Sequence, residues 1–425
     1  MNAPDASVHA APAPTKPASA PVHAALADCA CDGAMLLFGG MRLDRLAARV
    51  GGTPFYAYDR ARIAARVAQL RAALPAGVQV HYAIKANPMP AVVQCLAGLA
   101  DGLDVASAGE MAVALDTGMA PQQISFAGPG KRAAELAQAV AAGVLVSVES
   151  GNQLEQLAQA CERQGLPARV ALRINPDFAL RRAGMRMGGG AQPFGVDAQQ
   201  APALLARIGQ LGLAFEGLHL FAGSQNLSAS ALAETQESCM TLALRLAEVA
   251  PAPLRSLNIG GGLGVPYFPG EQPLALAPLA DSLQRQLGRL ALAAPGARLQ
   301  LELGRYLVAE AGIYVCRVLE RKLSHGQVFL ITDGGLHHHL AASGNFGQRV
   351  RKNYPVIIGN RMHGEREIAS VVGPLCTPLD LLADQMMLAR AQAGDLVVVL
   401  QSGAYGLSAS PTAFLGHPLP AEVLL

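Results

Sequence analysis

The chain has 425 residues, with 33 lysines and arginines against 31 aspartates and glutamates, for a formal charge of +2. That balance, without a long basic stripe, argues against nucleic acid as a partner, and no apolar run is long enough to span a bilayer. Much of the hydrophobic fraction of 51% is alanine, so it describes a chain with a substantial core, one large domain and a smaller one, not a membrane protein.

The first segment, residues 1–33, is rich in Ala and Pro and lacks the basic start and apolar core of a signal peptide. It reads as a disordered tail. Seven cysteines, at 29, 31, 95, 161, 239, 316 and 376, show neither zinc nor disulfide-framework spacing, and a reducing cytoplasm is the plain expectation. Residues 34–59 hold two strand-like runs, "MLLFGG" and "TPFYAYD".

Between 60 and 310 short apolar runs alternate with helix-like stretches. The runs lie at 79–87 (QVHYAIKAN), 102–107 (GLDVAS), 124–129 (ISFAGP), 145–150 (LVSVES), 169–175 (RVALRIN), 215–223 (FEGLHLFAG), 256–262 (SLNIGGG) and 299–306 (LQLELGRY). Stretches such as "AGEMAVALDTG" and "NQLEQLAQACERQG" between them repeat apolar residues at three- and four-residue intervals. The fold class is therefore α/β, a closed (β/α)₈ TIM-type barrel. An open doubly wound sheet would carry a glycine fingerprint after its first strand, and none is present. From 311 to 425 the runs "AGIYVCRVLERK", "VFLITDGG", "REIASVVGP" and "DLVVVLQSGAY" follow one another with few helices between, as in an antiparallel β domain that residues 34–59 would complete.

Lysine is scarce: it occurs only at 16, 85, 131, 322 and 352. Lys85 ends the first barrel run, and a lysine can release its proton where an arginine cannot. In such a barrel function gathers at the C-terminal strand ends, and anions are held after the seventh and eighth strands. There the chain places "NIGGG" (Asn258–Gly262) and "ELGRY" (Glu302–Tyr306), with Arg305 as a charged fork. Taken singly, Lys85 is a strand-end lysine and Glu302 an ion-pair partner. Taken together, an amine, an anion cradle and a carboxylate suit pyridoxal 5'-phosphate: the lysine takes the aldehyde, the glycines the phosphate, and the carboxylate keeps the ring nitrogen protonated.

In order and spacing the segments "YAIKAN", "GLDVASAGE", "LRINP", "GSQN", "NIGGG", "ELGR", "GPLC" and "SGAY" resemble the barrel-type (alanine-racemase-like) pyridoxal-phosphate decarboxylases of ornithine and diaminopimelate. The resemblance implies that Lys85 carries the cofactor aldehyde and Glu302 meets the pyridine nitrogen. It puts Ser224, Gly260, Gly261, Gly262, Gly304, Arg305 and Tyr405 around the phosphate, with Arg305 and Tyr405 also near substrate, and lines the pocket with Asp104 and Arg173. Cys376 would return a proton to the α-carbon from the second subunit, which implies a homodimer.

Two departures stand out. Phe221 occupies the place where the family stacks a histidine on the ring, and Thr377 the place where it sets an acid against the substrate's distal amine. A pocket without that acid disfavours a distal ammonium, and a neutral amide or thioester fits better. "HHHLAASGNFG", "GPLCTPLD" and "SGAYGLSASPTAFLGHP" resemble the branch with exosortase-associated and acyl-carrier-protein-dependent decarboxylases, which implies an acyl-carrier protein as partner. The triple histidine is read as strand, with His337 and His339 on one face. His337 lines the substrate pocket in this reading, and no metal is called for. "GPGK" (Gly128–Lys131) reads as a turn into a helix, since no Ser or Thr follows the lysine. The basic stretches "RRAGMRMGGG" and "GQRVRKNYP" are solvated loops or, in the sharper reading, docking points for an acidic carrier.

Overall fold

The computed structural model describes residues 23–425 apart from 28, 182, 183, 347 and 349. Eight parallel strands form a closed barrel: β1 (Val78–Ala83), β2 (Gly102–Val105), β3 (Ile124–Phe126), β4 (Leu145–Val148), β5 (Arg169–Asn175), β6 (Ala214–Leu220), β7 (Ser256–Gly261) and β8 (Arg298–Leu303). Closure is made by β8 on β1, from Leu299 opposite Val78 to Leu303 opposite Tyr82, while β4 pairs β5 from Leu145 opposite Arg169. The strands are buried on both faces, as parallel strands under a helical layer must be, so they read in sequence as unbroken apolar runs. The helix Gly151–Gln164 is typical of the outer layer. It is capped by Ser150 on the Gln153 amide at 3.3 Å, buries Leu154, Leu157 and Ala160 on one face, and stops at Gly165 in the left-handed region.

All eight expected strands are present, but most end earlier than their apolar runs. Lys85 is accordingly not in a strand: it lies in a single 3₁₀ turn, Ile84–Ala86, just beyond β1.

In the β domain the long strand Gly312–Ser324 pairs antiparallel with Gln327–Thr332, Leu396–Val399 and Phe55–Tyr58. Phe55–Tyr58 thus joins from the N-terminal side as expected. Two pairings are parallel, Gln327–Thr332 with Arg366–Val372 and Phe55–Tyr58 with Ala421–Leu424, because long connections carry the chain back to the starting edge. A three-stranded sheet of Cys31–Asp32, Met35–Phe38 and Met41–Arg42 covers a second core, in which Leu36 and Phe38 pack with Phe55, Ile313 and Val398.

Of the tail expected over 1–33, residues 1–22 and 28 lie outside the described residues, as does Arg182 of the first basic loop and Arg349 of the second. The fold begins earlier than residue 34. The buried His23 donates from Nε2 to the Pro266 carbonyl at 3.0 Å and accepts the Ala25 amide at Nδ1, and Leu26 packs on the second core. Among the described residues no helix is long and apolar enough to cross a membrane.

Candidate active site

Because β1 and β8 are neighbours, their C-terminal ends bring Lys85 to Glu302. Lys85 Nζ donates to Glu302 Oε1 at 2.8 Å; the Glu302 side chain is 4% exposed and that of Lys85 37%. From β6, His219 Nε2 stands 3.2 Å from Glu302 Oε2, and its Nδ1 is hydrogen-bonded at 2.7 Å to Ser147 of β4. Burial alone would raise the Glu302 pKa, but the Lys85 charge and His219 outweigh it and hold the carboxyl well below its ordinary range. For Lys85, burial works against the charge and the Glu302 carboxylate prevails, so the amine is raised. The sequence argument sought an amine that can shed its proton. Beside Glu302 the amine is instead held as ammonium, and it becomes a nucleophile only on leaving that carboxylate. Phe221 faces the same amine, with Nζ 5.5 Å from its ring centroid.

The glycines after β7 and β8 are there because side chains do not fit. A Cβ on Gly261 would stand 2.1 Å from the Glu302 carbonyl oxygen, and one on Gly304 2.8 Å from Ala86 Cβ, beside Lys85. Gly262 has φ +83°, and a Cβ there would meet the Gly223 carbonyl at 2.9 Å, which places the Gly260–Gly262 bend against Gly223 and Ser224. Gly261→Ala should therefore weaken cofactor binding about tenfold or more through displacement of β7 from β8, read by titrating the protein with pyridoxal phosphate.

Arg305 opens the helix Arg305–Val308. Its Nη1 donates to Tyr267 Oη at 3.1 Å and its guanidinium lies 4.6 Å from the Tyr405 ring centroid, while the buried Nε has no hydrogen-bond partner among the described residues. The Tyr405 amide donates to the Ala86 carbonyl at 2.8 Å, tying this ring to the Lys85 turn. Tyr267 packs tilted against Tyr354, centroids 4.7 Å apart, and Phe346 stacks on Tyr405. Sequence reasoning missed Tyr267, although "LGVPY" directly follows the glycine run.

Asp104, at the end of β2, accepts the Ser125 hydroxyl at Oδ1 and keeps Oδ2 unpartnered. Arg173, from β5, donates to Glu149 Oε1 at 2.9 Å, and Glu149 also accepts the Gly195 amide at 3.0 Å. Beneath this pair lies Lys131, 1% exposed in its side chain, donating to the carbonyls of Gly128 and Ser147 at 2.7 Å each. Burial pushes its pKa down to about 8 against the opposing pull of Glu149. The "GPGK" lysine is thus part of the buried support of Arg173. The scarcity that singled out Lys85 applied to it equally.

Cys376 and Thr377 lie elsewhere, in the connection between Arg366–Val372 and Leu381–Ala389. Cys376 is exposed and Thr377 half-buried. No contact joins either to Lys85 or Glu302 among the described residues. The triple histidine is on a turn, not the expected strand, so no shared face relates His337 to His339. His338 is bound to Tyr314 Oη and the Pro418 carbonyl, and His339 to Ser402. His337 is fully buried with both ring nitrogens unpartnered, 3.7 Å from the His338 centroid and 5.0 Å from that of His417. Burial pushes His337 and His338 down to about 4 and His339 to about 3, so all three are neutral rings at physiological pH.

The donor set fits pyridoxal phosphate. An amine sits against an anionic carboxylate, a glycine bend too tight for any Cβ lies beside it, and Arg305 Nε and Asp104 Oδ2 are without a partner among the described residues.

Comparison with known proteins agrees. The family described as pyridoxal-dependent decarboxylase, pyridoxal binding domain, matches residues 60–309. The L-glutamyl-[BtrI acyl-carrier protein] decarboxylase of Niallia circulans is 38% identical over 379 residues, 88% of each chain. The diaminopimelate decarboxylase of Aquifex aeolicus is 33% identical over 394 residues, 92% of this chain and 90% of that one. The crystal structure of AQ1208 from Aquifex aeolicus superposes with a TM-score of 0.82 at 31% identity, covering 93% of this chain and 92% of the other. The chain belongs to the pyridoxal-dependent decarboxylases, enzymes that use pyridoxal 5'-phosphate to release carbon dioxide from an amino acid.

Proposed function

We propose that the enzyme removes the α-carboxylate of an amino-acyl group with a neutral distal end, held as a thioester on an acyl-carrier protein, in a cytoplasmic homodimer. The barrel over 60–310 provides the cofactor site. The β domain, 34–59 with 311–425, carries Cys376 and Thr377 to the site of the other protomer. The observation that carries the substrate reading is Thr377: a distal ammonium brought to a hydroxyl would be desolvated without a counter-charge. The relative at 38% identity, named for a glutamyl group on a carrier protein, supports it. The dimer is supported by the exposure of Cys376 and by the outer face of the β domain, where Ile368 (57% exposed) and Met387 (51%) lie opposite each other beside Phe329 and Ile331.

Bound pyridoxal phosphate supplies the electron sink for the bond to the departing carboxylate. Lys85 would hold the cofactor through its aldehyde and give that place to the substrate amine. Glu302, with His219 against its second oxygen, would keep a proton on the ring nitrogen. Gly260, Gly261, Gly262, Gly304, Ser224 and Tyr405 would hold the phosphate with Arg305, and Phe221 would close one face to water. Asp104 and Arg173, the latter aimed by Glu149, would border the reacting end, and His337, buried in its turn, would back the substrate side. Cys376 Sγ holds the proton that the α-carbon receives.

The test is carbon dioxide release from cofactor-loaded protein. Ornithine, lysine, arginine, glutamate and diaminopimelate should give none, and a glutamyl thioester on a carrier protein should give turnover. Rapid release from a diamino acid would overturn the tethered reading in favour of a free-substrate decarboxylase, the reading that the diaminopimelate relatives support.

A further inference from the structure

The loop that bears Cys376 is fastened by a carboxylate that makes no ion pair among the described residues. Asp380 is 3% exposed. Its Oδ1 accepts the Leu336 amide at 2.6 Å and its Oδ2 the Leu375 amide at 2.8 Å, from positions 44 and 5 residues away in sequence. Glycines make the room: a Cβ on Gly335 would stand 2.2 Å from Oδ1, and one on Gly373 2.3 Å from Oδ2. The loop is tightened further by the Asp380 amide on the Thr377 carbonyl at 3.2 Å and the Gly373 amide on the Asp380 carbonyl at 3.1 Å. Thr332 Oγ1 adds a second tie across the same gap, donating to Gly334 O at 2.7 Å and Val372 O at 3.0 Å.

A buried carboxylate without a cation is costly, and a leucine would fill the same space more cheaply. It would leave two amides unpaired, however, and free the two segments from each other. His337 follows directly on one bound amide and Cys376 on the other. The turn of the histidines and the loop of the cysteine are thus locked into one body around a single side chain, and that body exposes Cys376 together with Pro378 and Leu379.

We propose that Asp380 is a positioning residue, whose clamp between the Leu336 and Leu375 amides sets where Cys376 and Thr377 are presented. The proposal rests on the role given to Cys376 above. Its force comes from geometry: a proton donor delivered across a subunit interface loses about a hundredfold in rate for a misplacement of ~1 Å.

The test uses the full-length, cofactor-loaded enzyme with Asp380→Asn, which keeps volume and one acceptor but turns an NH₂ group toward the other amide. Expected are a kcat lowered about tenfold or more at little-changed KM, and a rate of Cys376 alkylation, followed by peptide mass, changed about threefold or more. Cofactor titration, visible absorption and molecular mass should match the wild type. Should Asp380→Asn fold poorly, Thr332→Val loosens the same gap more gently and should shift alkylation and kcat in the same direction. Unchanged alkylation, or changed alkylation with wild-type kcat, overturns the clamp. Full activity of Cys376→Ala would instead locate the failure in the role of the thiol.

Discussion

Lys85→Ala should abolish carbon dioxide release, by about three orders of magnitude or more, and remove the visible absorption band of the cofactor-loaded protein. In the proposed reading the amine at Nζ receives the cofactor aldehyde and gives place to the substrate, and no other lysine in the described site substitutes for it, since Lys131 is locked onto the Gly128 and Ser147 carbonyls. The same change leaves the Glu302 carboxylate, 4% exposed, with His219 alone. Stability should fall by ~1–3 kcal/mol, the lower part of that range being expected because Lys85 is 37% exposed and partly screened. Lys85→Arg separates the two effects. It keeps a cation for Glu302, so thermal stability is largely retained, but a guanidinium does not release its proton and turnover is lost as completely as in the alanine variant. Measurable turnover by Lys85→Ala at the wild-type rate would sink the assignment.

The barrel was legible in the chain because parallel strands buried on both faces appear as continuous apolar runs, set apart by helices with three- and four-residue spacing. What the runs do not reveal is where pairing stops. "QVHYAIKAN" shows no turn residue before Asn87, yet the backbone leaves the sheet after Ala83 and turns at Ile84–Ala86, which brings Lys85 to Glu302 of β8. The β domain was legible as strands but not in its two parallel pairings, which depend on where long connections return. Lys85, Glu302, the glycine bend and Arg305 were found because they fall at adjacent strand ends. Lys131 was not, since its partners come from a loop, a strand and a helix, Gly128, Ser147 and Gln153, and "GPGK" looked like a mere turn. The histidines misled for a similar reason: alternation presumes a strand, and the segment is a turn pinned by Tyr314, Ser402 and Asp380.

Glu302→Gln should lower turnover about a hundredfold while leaving the cofactor and its visible band in place. The amide matches the carboxylate in size, and Lys85, the glycine bend and Arg305 remain to hold the cofactor. In the proposed reading what disappears is the anion that would keep the ring nitrogen protonated, and with it most of the electron withdrawal from the α-carbon. With the cofactor removed, the same pair makes a prediction about pH. Glu302 has a depressed folded pKa, so its contribution to stability is complete above the unfolded carboxylate value of about 4.3 and is lost as pH falls through the lower folded value. Lys85 is raised, so its contribution is complete below the unfolded amine value of about 10.4 and is lost only as pH climbs through the higher folded value. Between these limits the ion pair is fully formed, and the gap in unfolding temperature between wild type and Glu302→Gln should be flat across neutral pH. On acidification below about pH 4 the gap should close, because protonated Glu302 and the glutamine are then equivalent partners for the ammonium. A gap that persisted unchanged into strong acid would mean that the Lys85–Glu302 contact contributes packing and not charge, and the carboxylate's claim on the ring nitrogen would fall with it.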